Sequence, residues 1–369
     1  MASERCKLCG QPGLVSRALG VCASCIVQRE VQAKEFVRQA HRAARRPFDV
    51  PDEMPRAAEG VGCKGCGNNC RMPLGGRGYC GLRRNEGGRL MQLAGTPRGA
   101  LVSWYHDPLP TNCVASWVCP AGAEVGYPDF PYAPGPEYGY TNLAVFYKAC
   151  SFDCLFCQNW HYREAKPTNR QRSAQELAAA VDRRTACICY FGGDPAPQVA
   201  HALAASRLAL RANAGRPLRI CWETNGSVGL PALRKMADLS LRSGGCIKID
   251  LKAFTPQLHE ALCGTSNAQT IANVAWLARL ARQRPSVPLL VVSTLLVPGY
   301  VEADEVRRIA GFIASLHQDT PYSLLAFYPQ FFMSDLPATS REQAYSCVEA
   351  ARAAGLRRVH LGNQHLLGL

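Results

Sequence analysis

The chain has 369 residues, 47% of them apolar and 19% charged, which is enough for a large buried core and two or three domains. No apolar run reaches the ~18 residues of a membrane span and the first residues hold no apolar signal segment, so a soluble cytoplasmic protein with no membrane partner is expected. The net charge of +14 is uneven, with 17 Lys and Arg against 8 Asp and Glu in the first 100 residues; such a front attracts nucleic acid, an acidic protein or an anionic small molecule, or is simply a solvated Arg-rich face.

Nineteen cysteines are many for such a chain, and eleven fall into three spaced groups. The first is Cys6, Cys9, Cys22 and Cys25, a C-x2-C-x12-C-x2-C pattern. Two knuckles of this kind bring four thiolates into a tetrahedron around zinc or iron, a closed shell with a structural role. Residues 26–46 read as one helix stopped by Pro47, and the Pro-rich stretch 47–58 as a linker. Residues 1–46 are therefore expected to form a unit outside the active-site pocket, removable without loss of the chemistry. The second group, Cys63, Cys66, Cys70 and Cys80, is rich in glycines that let a short peptide wrap zinc or an auxiliary iron–sulfur cluster.

Residues 101–140 carry seven prolines and many aromatics, and are expected to be an ordered lid-like loop over the mouth of the domain downstream. Cys113 and Cys119 lie in it, as active-site thiols or as buried structural cysteines. From 141 onward strands and helices alternate. Strands are expected at 142–147, 186–191, 218–222, 246–251, 289–296 and 323–327, with a seventh at 358–361. Helices are expected near 173–184, 196–213, 231–242, 267–283, 302–317 and 340–354. Repeated βα units imply a parallel sheet closed or partly closed into a barrel, with the chemistry at the C-terminal strand ends. Cys187, Cys189, Cys221 and Cys246 sit in the strand runs and Cys263 and Cys347 in helical ones, where a free cysteine serves as a small hydrophobe.

The third group comes after the first predicted strand: Cys150-x3-Cys154-x2-Cys157. Structural zinc favours C-x2-C pairs and four ligands, and no fourth lies nearby. A [4Fe–4S] cluster takes four cysteines as a rule, so a loop with three leaves one iron open to another ligand. The spacing resembles the radical S-adenosylmethionine (SAM) superfamily, in which SAM chelates that iron and is cleaved reductively to methionine and a 5′-deoxyadenosyl radical.

Other strand ends extend the likeness. Gly192-Gly193-Asp194 resembles the GGE motif that contacts the SAM amino group. Glu223-Thr-Asn225-Gly and Asp250-Leu-Lys252 resemble the D-T-N-G and D-L-K stretches of glycyl-radical activases such as pyruvate formate-lyase activating enzyme. The resemblance implies Asp250 and Lys252 at the SAM ribose and carboxylate, with Phe156, Cys157, Gln158, Gly192, Gly193, Asp194, Glu223 and Asn225 lining the same site. Tyr328 stands where those relatives have histidine. Cys63 to Cys80 and the terminal Val359-His-Leu-Gly-Asn363 resemble the AmmeMemoRadiSam group. Together these imply a partial (β/α)6-type TIM barrel over 141–369, preceded by knuckles and a basic helix at 1–46 and a Cys-rich region at 47–140. They imply a [4Fe–4S] cluster, SAM, a flavodoxin- or ferredoxin-like electron donor, and a substrate, small molecule or protein, that the sequence does not name. An activase for a partner enzyme is the alternative; a non-catalytic metal- or nucleic-acid-binding protein is a third reading that leaves the strand-end series unexplained.

Overall fold

The computed structural model describes residues 4–123 and 125–368. Its centre is one eight-stranded sheet: β1 (Val102–Pro108), β2 (Thr141–Tyr147), β3 (Thr185–Gly192), β4 (Arg219–Thr224), β5 (Ile247–Asp250), β6 (Leu290–Leu296), β7 (Tyr322–Ala326) and β8 (Val359–Gly362). Spatial order follows chain order, β1 pairs antiparallel with β2, and every other pair is parallel. All seven strands expected from the sequence are present. β6 (LVVSTLL) is buried at every residue and β2 at all but Phe146. Strands covered on both faces lose the polar alternation of a one-sided sheet, which is why they read as continuous apolar runs.

Helices cover the outer face: α3 (Ala174–Ala179), α4 (Val199–Ala212), α5 (Leu230–Ser243), α6 (Pro256–Cys263), α7 (Ala268–Ala281), α8 (Ala303–Leu316) and α9 (Arg341–Ala353). The Ser173/Glu176 capping box is formed in both directions, at 3.1 and 2.6 Å. Short α6 carries Cys263, read from the sequence as lying in a helical run, but its bounds were not expected.

Three expectations are corrected. The N-terminal helix is two helices, α1 (Ala23–Gln28) and α2 (Glu30–Arg45), broken at Arg29, whose φ of −124° and ψ of 44° leave the helical region. Residues 102–108 are not lid but strand β1. The loop after β1 packs largely at the other end of the barrel and reaches the C-terminal mouth through Asn112, which bonds the cleft residue Asn363 at 3.3 Å. Its Cys113, Ser116 and Cys119 pack at the N-terminal strand starts beside Asn142, Cys187, Arg219 and Cys246, and Trp117 bonds Ser323 at 3.0 Å.

The N-terminal segment is part of the same core. Cys6, Val15, Leu19, Val21, Cys25 and Ile26 are all at most 3% exposed within the main apolar cluster. The Tyr300 hydroxyl accepts from Ser16 N at 3.0 Å and donates to Val21 O at 3.1 Å. The shell is thus continuous with the barrel, against the expectation of a removable unit. Among the described residues no helix is long and apolar enough to cross a membrane.

Candidate active site

β2 ends at Tyr147, and the loop after it carries Cys150, Cys154 and Cys157 to the C-terminal end of the barrel. Several segments hold this loop. The N–H groups of Asp153 and Leu155 donate to Cys263 O and Leu262 O at 2.8 and 3.0 Å. Asn68 Nδ2 donates to Ser151 O at 2.6 Å, and Asn225 Nδ2 to Ser151 Oγ at 2.9 Å. Two donors address the first sulfur: Phe152 N at 3.3 Å and Asn225 Nδ2 at 3.6 Å from Cys150 Sγ. Such bonds favour a thiolate and tune any metal it holds. Burial pushes the Cys150 thiol well above its ordinary range, so a metal must displace its proton.

The three thiols open onto a cleft of ≈ 970 Å³, including its solvent-open mouth. Phe156, Gln158, Gly192, Gly193, Asp194, Glu223, Asn225, Asp250 and Lys252 line the same cleft, so all but one of the ligand-binding residues expected from the sequence come together. The exception is Tyr328. Phe327 beside it is fully buried, which turns Tyr328 outward to 42% exposure, and Leu325 of β7 lines the cleft instead.

Individual roles differ from those first expected. Asp194 is 1% exposed and already satisfied: it accepts from Asn225 N at 2.7 Å, Thr224 Oγ1 at 2.8 Å and Ala196 N at 2.7 Å. It positions the turn after β4 through three accepted bonds, two of them on Oδ2. Burial nevertheless lifts its carboxyl to about 6. The glycines answer first to chain packing: a Cβ on Gly192 would lie 2.5 Å from Tyr147 N, and one on Gly193 2.4 Å from Ala149 O.

Asp250 and Lys252 form an ion pair across the cleft floor, with the Lys252 ammonium 5.6 Å from the Phe156 ring centre. The other carboxylate oxygen, Asp250 Oδ1, is buried with no partner. A buried unpaired acceptor costs roughly 1–3 kcal/mol unless a ligand supplies a donor. Burial raises the Asp250 carboxyl while Lys252 opposes the rise.

The donor set fits a multi-iron cluster. Tetrahedral ligands about 2.3 Å from one metal stand roughly 3.8 Å apart. Cys6, Cys9, Cys22 and Cys25 meet that demand, with all four sulfurs within 4.8 Å of one another; among the described residues no other set of three His, Cys, Asp or Glu donors converges so tightly. The three thiols of the Cys150 loop do not converge in this way, which is compatible with a larger, sulfide-bridged group, and the orphan Asp250 oxygen marks the cleft side as a place for a polar ligand. Cys63, Cys66, Cys70 and Cys80 do not converge in this way either. They dock beside the loop through Gly67 N to Ser227 O at 2.8 Å. In the first group burial opposes charge on Cys6, but backbone N–H groups of Cys22, Cys9 and Leu8 outweigh it and bring the thiol down to about 6.

Residues 144–313 match the family model of the radical SAM superfamily. These residues form a radical SAM domain. An uncharacterized protein of Methanocaldococcus jannaschii is 25% identical over 309 residues, 82% of this chain and 81% of that one. The isethionate sulfite-lyase activating enzyme of Oleidesulfovibrio alaskensis is 30% identical over 142 residues, 38% of this chain and 41% of that enzyme, so the match spans less than half of its length. A solved domain of pyruvate-formate lyase-activating enzyme from Bacteroides vulgatus aligns with a TM-score of 0.36 at 20% identity, over 47% of this chain and 98% of that one. Radical SAM domains use a [4Fe–4S] cluster and SAM, and the Cys150 loop lies inside the matched span.

The strand cysteines assigned to packing turn out to share one cavity. Cys187, Cys189, Cys221 and Cys246 meet Cys113 and Cys119 below the cleft, around Lys248. No local spacing announces this group, because its members come from four separate segments.

Proposed function

We propose that this chain is a radical SAM enzyme of the AmmeMemoRadiSam type, in which Cys150, Cys154 and Cys157 hold the [4Fe–4S] cluster that cleaves SAM. The observation carrying this reading is the three-thiol loop at the end of β2, opening onto a cleft with one unpartnered buried carboxylate oxygen. When bound, the cluster supplies the electron that splits SAM into methionine and a radical able to abstract hydrogen. The protein's own part is to orient SAM. Asp250 Oδ1 accepts from a hydroxyl, Lys252 draws in a carboxylate, and Asn225 steadies Cys150. Cys6, Cys9, Cys22 and Cys25 hold one structural metal ion, and the wider Cys63 group suits a polynuclear cluster better than zinc. A flavodoxin- or ferredoxin-like donor supplies the electron, and the hydrogen donor is a small molecule or a protein.

Anaerobic reconstitution with iron and sulfide, followed by reduction with SAM present, tests the proposal. 5′-Deoxyadenosine should form, and should vanish in Cys150→Ala/Cys154→Ala/Cys157→Ala; equal formation by that variant would refute it. The stretch of identity to an activating enzyme favours a second reading, radical transfer to a partner protein. A stable glycyl-radical signal on a co-purifying enzyme would select it.

A further inference from the structure

We propose that the N-terminal half of the barrel lumen is built to hold a second iron–sulfur cluster, ligated by Cys113, Cys189, Cys221 and Cys246. The inference concerns a site separate from the SAM cleft and does not depend on the SAM reading.

Three of the ligands form a row. Cys189 of β3 pairs in register with Cys221 of β4, and Cys246 directly precedes Ile247, whose partner is Trp222. Adjacent strands stand ~4.8 Å apart, so the row spaces its side chains evenly across three strands. Their direction follows from their neighbours. Tyr190 bonds Ser206 of α4 at 2.8 Å and Trp222 bonds Ser240 of α5 at 3.0 Å, so both face outward and the alternate residues Cys189 and Cys221 face the lumen. Cys113 closes the arrangement from the loop after β1, and all four line a cavity of ≈ 480 Å³, counted to its open mouth.

Small apolar side chains would fill this space equally well, but they would not explain Lys248. Its side chain is 1% exposed, and its ammonium lies 3.1 Å from Cys113 Sγ, 2.9 Å from Cys189 Sγ and 3.2 Å from Glu223. Two of its bonds thus end on sulfur. A neutral thiol is a weak acceptor, and a buried cation needs better ones. A thiolate-ligated cluster is an anion that supplies them, and N–H···S bonds of this kind are among the features that set a cluster's potential.

Two further observations narrow the assignment. Cys187 meets Asn142 Oδ1 at 3.4 Å and Cys119 meets Ser116 O at 4.0 Å, so these two cysteines have partners outside the row. Among the described residues no three donors of this cavity lie within 4.8 Å of one another, which is too open for one metal ion and suits a sulfide-bridged core. Cys113 also borders a neighbouring space together with Gln158 and Glu223, both of which line the SAM cleft. The second cluster would face that cleft from below.

The test uses the full-length protein, reconstituted anaerobically with iron and sulfide and crystallised without oxygen. Anomalous diffraction at the iron edge should show a peak within bonding distance of Cys113, Cys189, Cys221 and Cys246. Iron at the Cys150 loop with none in this cavity, or zinc here in its place, would overturn the inference while leaving the SAM reading intact. Iron here with none at the Cys150 loop would do the reverse. In solution, Cys189→Ala/Cys221→Ala/Cys246→Ala should lower inorganic sulfide by about two to four per chain. Unchanged sulfide in that folded variant would also overturn it.

Discussion

Asp153, an apparent spacer between Cys150 and Cys154, joins their loop to the N-terminal helix, and Asp153→Asn tests that junction. Its carboxylate is fully buried and meets Arg163 through a short charged contact, His41 Nδ1 at 2.8 Å and Arg45 Nη1 at 3.5 Å. Burial alone would raise the carboxyl, but Arg163, His41 and Arg45 outweigh it and hold it below the ordinary carboxylate range. Asparagine keeps the shape and removes the charge, leaving two guanidinium groups, each with a side chain 2% exposed, without a counter-ion. Breaking a buried pair in this way costs about 3–5 kcal/mol. Arg45 retains bonds to Pro51 O and Tyr79 O, both at 2.6 Å, and its place over the Tyr79 ring at 3.6 Å. Arg163 has less in reserve: its Nε and Nη2 are already unpartnered, and it keeps only the faces of the Tyr162 and Phe331 rings, each 5.1 Å away. A loss near the lower bound, about 3 kcal/mol, is therefore expected. Urea unfolding followed by circular dichroism should show a lower midpoint with an unchanged slope. The wild-type contribution is present above the unfolded value of 3.8 and lost as pH falls through the lower folded value, so the difference between the proteins should shrink in acid. A loss under about 1 kcal/mol at pH 7 would refute the reasoning.

Asp250→Ala or Lys252→Ala should weaken SAM binding about tenfold or more, from charged contacts worth roughly 1.5–3 kcal/mol, without lowering iron content; unchanged affinity in isothermal titration would exclude them as ligands. Deleting residues 1–46 strips Asp153 of His41 and Arg45 and uncovers the core around Cys25 and Ile26, so the truncated chain should be far less stable, and a wild-type melting temperature would contradict this. Burial drives His259 down to about 4, so its contribution is complete above 6.5 and is lost as pH falls toward 4. By pH 5 this amounts to about 2 kcal/mol, which should disappear from the difference between pH 7 and pH 5 urea stabilities in His259→Asn.

Legibility followed how local each signal is. The Cys150 loop holds its three cysteines in one short stretch and the N-terminal group comes as two C-x2-C knuckles, so spacing alone exposed them. The seven parallel strands were legible because both faces are buried and their apolar runs are unbroken. β1 was not: Ser103, Tyr105, His106 and Pro108 are exposed at the sheet edge, so it reads as an irregular polar and aromatic stretch. α6 was legible only at Cys263, because eight residues give barely two turns of helical periodicity. The lumen cysteines are buried as small hydrophobes are, but their grouping was not legible, because each is read within its own strand. Only the register of β3, β4 and β5 places them side by side.

β5 shows how one short strand serves both levels of the lumen. Its alternate residues Lys248 and Asp250, continued by Lys252 just past its end, climb the inner wall, and each meets a different environment. Lys248 sits among thiols at the strand start and reaches Glu223 of β4. Asp250 and Lys252 face the cleft and pair with each other. Glu223 lines the cleft while holding the lower lysine, so it is the carboxylate shared between the two levels. Lys248 thereby stands between the lower thiols and the cleft, touching Cys113 and Cys189 on one side and, 3.2 Å away, the carboxylate that lines the cleft on the other.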